Sequence, residues 1–233
     1  MRLELDKAAD LVDDMAVAIV DARRRDVAGV RRGASRLEPL TQTRRETAYR
    51  LAMAAEFRDP QMIGHLERVG VYSELLARRW GMTRQRGEQV RVASALHDVG
   101  KIGIPDRILQ KPGPLTAAER AVMQRHTVIG HALMGDLGDP LLDLAASIAL
   151  THHERLDGSG YPHGLRGPEI PIEGRMVAIA DTFDALTSVR AYRPAFSEGR
   201  ALDVLEQGRD SQFDGTLLDC FLAVLPEIVQ AAA

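Results

Sequence analysis

The chain has 233 residues, 45% hydrophobic, 27% charged and 4% aromatic, with a formal net charge of -3 and a pI near 6.2. This balance excludes a disordered chain and allows one large domain, or a domain with an appendage. It offers no basic face for a nucleic-acid polymer, and no apolar run approaches the roughly 18 residues of a membrane span. With so few aromatics, Ala, Leu, Val and Ile must fill the interior, which favours close-packed helices, so the expected fold class is all-α. The acidic start at residues 1–6 does not resemble a signal peptide, and the single cysteine, Cys220, cannot form an internal disulfide. The cytoplasm is therefore the expected compartment.

Residues 1–45 form an arginine- and acid-rich arm in which Leu5, Ala8, Val12, Met15, Ile19 and Ala22 follow 3,4 spacing. The run is too short for a secure coiled coil, so a helix packed on the core and a homodimer contact both stay open. No usual input module fits into 45 residues. The arginine clusters, with acids among them, read as a solvated helix face. From residue 46 to 233 a single helical domain is expected.

His65 sits in the apolar segment 63–69, and helical spacing continues through Leu75, Leu76 and Trp80. A second helix covers Val90, Val92, Ala93 and Leu96 and ends on His97 and Asp98, with Gly100 and Gly103 marking the terminus. Thr116 and Glu119 form a capping-box pair that opens a helix running to about Met134, which places His126 in mid-helix. The apolar run 141–150 ends on His152 and His153. Residues 154–173 lack helical periodicity and hold four glycines and three prolines, marking a functional loop. Asp181 follows the apolar run 176–180, Ser197 caps a helix reaching about Arg209, and Cys220 reads as a buried thiol.

A lone helical histidine is ordinarily a core residue bonded to the backbone. Two helix ends that each carry a histidine beside a second ligand, with further histidines on nearby helices, point instead to a metal site. Imidazole and carboxylate donors together suit iron, manganese, nickel or zinc.

Three segments carry a resemblance: His97-Asp98-Val99-Gly100-Lys101-Ile102-Gly103-Ile104-Pro105, His152-His153-Glu154-Arg155-Leu156-Asp157-Gly158-Ser159-Gly160-Tyr161-Pro162 and Asp181-Thr182-Phe183-Asp184-Ala185-Leu186-Thr187. They resemble the signature blocks of the HD-GYP family, and the likeness runs from about residue 45 to the end. The resemblance implies an all-helical HD-type domain that hydrolyses cyclic di-GMP to pGpG, with cleavage on to GMP left open. It implies metal ligation by His65, His97, Asp98, His126, His152, His153 and Asp181, and no such role for His131 or His163. Lys101 matches an active-site lysine that acts with Asp98 in catalysis and also meets substrate. Arg190 and Arg193 match residues that hold substrate phosphates, and Gly160 and Tyr161 match residues near the nucleotide. The Gly160-Tyr161-Pro162 loop is also a candidate contact for other signalling proteins. Glu154 and Asp157 are candidate acceptors for the ligand imidazole protons.

In one place the chain departs from the pattern. Where the family has a glutamate before His65, this chain has Gln61, a weaker ligand for a third ion. Two octahedral ions offer about twelve coordination positions, of which seven protein ligands with Asp98 bridging fill about eight. A bridging water or hydroxide fills about two more and leaves about two for substrate oxygens, so two divalent ions are expected, iron or manganese first among the candidates. Such a site carries a small positive charge, which attracts a phosphodiester locally despite the acidic chain, and a bridging hydroxide is the expected nucleophile. A cyclic di-GMP receptor with little or no turnover, and a phosphohydrolase of another cyclic dinucleotide, are the alternatives.

Overall fold

The computed structural model describes residues 41–57, 63–136, 138–189 and 194–232. Residues 1–40, and with them the expected amino-terminal helix and dimer contact, lie outside the described residues. So do Gln61, Arg190 and Arg193.

Among the described residues there are eleven α-helices and no strand, as expected for an all-α fold. The order is α1 (Gln42–Glu56), α2 (Ile63–Arg79), α3 (Arg84–Ser94), a 3-10 turn (Val99–Gly103), α4 (Asp106–Leu109), α5 (Ala117–Gln124) and α6 (His126–Met134). After these come α7 (Pro140–Thr151), a short 3-10 turn (Gly167–Glu169), α8 (Ile172–Thr187), α9 (Glu198–Gln207), α10 (Gly215–Ala223) and α11 (Leu225–Ala232). No described helix is long and apolar enough to cross a membrane.

Local chemistry sets many of these starts. Thr41, Thr83 and Ser197 each accept a hydrogen bond from the backbone N–H three residues on, satisfying a donor that the first helical turn would otherwise leave bare. Thr116 and Glu119 make the expected reciprocal capping box. Asp139 caps α7, whose first residue, Pro140, has no N–H to satisfy.

α2 packs on α3 and α8, α3 on α7, and α7 on both α6 and α8. Alanines close these contacts: Ala77, Ala93, Ala145, Ala149 and Ala180 are fully buried among Leu76, Val90, Ile148 and Ile179. Three of the few aromatics meet within the main core, where Tyr72 meets Phe183 and Phe183 meets Phe221 edge to face at 5.9 and 5.2 Å. A smaller core of Ile104, Ile108, Val122 and Ile129 fastens α4 and α5 to α6. Cys220 is half-buried against the main core rather than fully enclosed.

Two expected helices end sooner than their apolar spacing predicts, and the cause is the same in both. The helix opened by Thr116 breaks at Arg125, so His126 begins α6 instead of lying in mid-helix. Here His126 Nδ1–H donates to the Met123 carbonyl at 2.7 Å and Thr127 Oγ1 to that of Gln124 at 2.9 Å, taking acceptors the backbone would have used. α3 stops at Ser94, and His97 and Asp98 fall in the turn beyond it. There Ser94 Oγ donates to the Arg91 carbonyl and His97 Nδ1–H to that of Ser94, at 3.0 and 2.7 Å.

Gly100 lets this turn lie directly on α6. A Cβ at Gly100 would stand 1.9 Å from the His126 carbonyl oxygen, so any side chain would force apart the two segments that carry His97, Asp98 and His126.

Candidate metal centre

All seven expected ligands converge at the meeting of α2, the turn after α3, α6, the end of α7, and α8. His152 caps the carboxyl end of α7, and His153 follows it. His65, His97, His126, His152 and Asp98 are buried. The rings form a continuous wall: His65 to His97 at 5.4 Å, His97 to His152 at 5.0 Å, His126 to His152 at 5.5 Å and His152 to His153 at 4.0 Å between centroids.

The ligand atoms fall into two sets that share one carboxylate. Asp98, His126, His152 and His153 each place a ligand atom within 4.8 Å of the others, and so do His65, His97 and Asp98. Asp181 joins the second set, with Oδ1 3.4 Å from His65 Nε2 and 3.9 Å from His97 Nε2.

The hydrogen bonding fits a cation at these points. His97, His126 and His152 each direct Nδ1 at a main-chain carbonyl, which can only accept, so the proton is on Nδ1 and Nε2 presents a lone pair. Buried with no hydrogen-bond partner are Nε2 of His65, His97, His126 and His152 and Oδ1 of Asp98. His126 Nε2 and Asp98 Oδ1 are 3.2 Å apart, and His97 Nε2 is 3.2 Å from Asp98 Oδ2. Two lone pairs facing each other at that distance inside a protein are costly unless a positive charge lies between them. A divalent ion meets that requirement.

The electrostatics point the same way. Burial opposes the Asp98 charge, but Lys101 and His97 outweigh it and hold the carboxyl well below its ordinary range. Lys101 Nζ is 2.5 Å from Asp98 Oδ2. Burial also opposes a charged His97, yet Asp98 and Asp181 raise it to about 9, which marks a point where positive charge is favoured. Burial lowers His126 to about 4, and burial with the neighbouring imidazoles holds His153 well below its ordinary value, leaving both neutral as ligands must be.

The loop after α7 folds back over this wall. Tyr161 stacks on His153 with centroids 4.7 Å apart, and its N–H donates to the His153 carbonyl at 3.2 Å. Gly160 allows this: a Cβ there would lie 2.4 Å from Arg155 N and 2.6 Å from Glu154 Cα. Its demonstrable part is thus to seat Tyr161, beside any contact it makes with a nucleotide. Burial, followed by Asp98 and Asp181, raises the Tyr161 phenol, which stays protonated.

Glu154 and Asp157 do not serve the imidazoles as expected. Glu154 is buried and accepts the backbone N–H groups of His163 and Leu165 at 2.7 and 3.0 Å, stapling the loop to itself. Asp157 accepts from Ser159 and does not reach the site. The acceptors are the carbonyls named above and one carboxylate the sequence reading left without a role, Asp184, whose Oδ2 lies 2.7 Å from His65 Nδ1. Its signal was present, since Asp184 stands three residues after Asp181 and one helical turn along the same face. His131 meets the Ala146 carbonyl and takes no part in either ligand set.

An all-helical domain with candidate histidine and aspartate ligands grouped around one shared aspartate defines a class, the HD domains. A family model described as the HD domain matches residues 50–217, and the chain belongs to that family. It is 45% identical over 178 residues to a cyclic di-GMP phosphodiesterase of Thermotoga maritima, covering 76% of this chain and 48% of that one. It is 40% identical over 194 residues to 3'3'-cGAMP-specific phosphodiesterase 2 of Vibrio cholerae, covering 83% and 37%. The chain thus spans about half the length, or less, of these curated relatives. The HD domain of the phosphodiesterase PgpH from L. monocytogenes, solved in complex with cyclic-di-AMP, superposes with a TM-score of 0.56 at 17% identity, covering 78% of this chain and 96% of that one. At that identity it supports the fold alone.

Proposed function

We propose that residues 46–233 form a catalytic domain that hydrolyses cyclic di-GMP to pGpG on two divalent ions, iron or manganese. The observation that carries the reading is the pair of ligand sets meeting at Asp98, with four buried Nε2 atoms unpartnered around them. The relatives named for this substrate at 45% identity support it. Two ions rather than three follow from the shared aspartate together with the neutral Gln61. Bound ions would lower the pKa of the attacking water and stabilise the entering and leaving oxygens of the phosphodiester.

The protein's own contributions are orientation and charge. His97, His126 and His152 are held in one tautomer by main-chain carbonyls, so they need no reorganisation to ligate. His65 and His153 complete the wall, and Asp98 and Asp181 supply the negative charge. Lys101, beside Asp98, is placed to neutralise a non-bridging phosphate oxygen as charge builds on it. Water adds at one phosphorus and the bond to the leaving ribose oxygen breaks, opening the ring. Tyr161, roofing His153, offers a face and a hydroxyl to the substrate base or to a partner protein, and Arg190 and Arg193 are assigned to the substrate phosphates.

The test is chromatography of cyclic di-GMP incubated with manganese- or iron-loaded protein. A pGpG peak supports the reading, whereas binding without product makes the chain a receptor. The Vibrio cholerae relative favours a second substrate, 3'3'-cGAMP. Parallel rates on the two dinucleotides decide between them.

A further inference from the structure

His65 is held differently from the other oriented imidazoles. A main-chain carbonyl survives any substitution of its side chain, whereas His65 relies on the Asp184 side chain, which is 1% exposed. Asp184 is itself clamped. Its Oδ1 accepts from Arg68 Nε at 2.5 Å and its Oδ2 from Arg68 Nη2 at 3.0 Å, and that Nη2 also donates to Ser188 Oγ at 2.8 Å. Ser188 Oγ in turn donates to Asp184 Oδ2 at 3.3 Å. The two-pronged contact with the Arg68 guanidinium is the geometry of an ionised carboxylate. An ionised carboxylate only accepts, so Nδ1 of His65 carries a proton and Nε2, on the Asp181 side, is the atom left to ligate an ion.

We propose that Asp184, clamped by Arg68, is the positioning residue that selects the ligating tautomer of His65. It thereby sets the ion affinity of the His65–His97–Asp98 set without acting on the His126–His152–His153 set. The proposal rests on the metal-centre reading. Its physical core is the choice between two acceptors. Asp184 Oδ2 lies 2.7 Å from Nδ1 of His65, and Asp181 Oδ1 lies 3.4 Å from Nε2. In Asp184→Ala only the Asp181 acceptor remains, so the imidazole proton moves to Nε2 and the ligand lone pair is lost.

The test uses the full chain, stripped of metal and titrated with Mn2+ alone, with bound metal counted after equilibrium dialysis. The parent is expected to take up two ions. Asp184→Ala should hold one with parental affinity and bind the other about 10- to 100-fold more weakly. Nitrogen NMR of the metal-free variant should show Nε2 of His65 protonated, a signature that simple loosening of the fold does not produce. Two ions bound at parental affinity, or loss of both together with Nε2 of His65 still unprotonated, would overturn the proposal. Should Asp184→Ala fail to fold, Arg68→Lys carries the test: it keeps the charge but lacks the two-pronged grip, and it should weaken one ion and spare the other. Parental affinity at both sites in that variant also overturns it. A parent that binds no Mn2+ removes the metal-centre reading itself, a separate and recognisable failure.

Discussion

On the two sides of the candidate metal centre one imidazole stands apart: His65 is oriented by a side chain, whereas His97, His126 and His152 are oriented by the main chain. On the His126–His152 side the acceptors are the carbonyls of Met123, Ile148 and Ala149, all main-chain atoms at helix ends. On the His65 side the acceptor is a buried carboxylate held by a guanidinium. A backbone acceptor is tolerant of sequence and carries no charge. A side-chain acceptor brings a negative charge close to its ligand and can be tuned, or lost, by one substitution. Asp98 belongs to both halves, and so neither is independent of it.

Changes that ignore this division should have the largest effects. Asp98→Asn removes the ligand both sets share, and it should abolish turnover and strip both ions. The fall should exceed the roughly 100-fold that loss of an outer-shell partner causes, and product formation and metal content measured together decide it. Full activity in this variant would sink the two-metal scheme. Lys101→Met should lower kcat by about 10²- to 10³-fold, the usual cost of losing one charge-stabilising donor, while metal content stays at the parental level. A rise in KM with kcat unchanged would reassign Lys101 to ground-state binding.

Smaller effects sharpen the contrast between a rigid wall and its roof. Gly160→Ala drives a Cβ into the backbone of 153–155 and should cost about 1–3 kcal/mol by denaturant unfolding, as overpacking usually does, with faster proteolysis of the loop. Unchanged stability would mean the loop re-seats freely. Met123→Leu should leave metal affinity within error of the parent, because the carbonyl that orients His126 remains. A clear loss there would show that orientation on the backbone side also depends on side chains.

The side chains that the resemblance proposed as ligands are the ones the fold brings together, because several of them sit in contiguous blocks: His97 beside Asp98, His152 beside His153. Thr116 with Glu119 and Ser197 announced their helix starts for the same reason, since capping is settled within four residues. The helix stops at Ser94 and Arg125 were less legible. Apolar periodicity continues past both points, and the break depends on which carbonyl a histidine or a hydroxyl captures.

What the sequence by itself determined is the all-helical class and the helix starts set by their capping residues, and it proposed the candidate ligands and the loop that follows them, all written in neighbouring residues. What only the tertiary structure decided is which partner each polar group takes. Glu154 turned inward to its own loop, and Asp184 reached across 119 positions to His65. A buried carboxylate must find its donors wherever packing brings them, and those donors are not its neighbours in the chain.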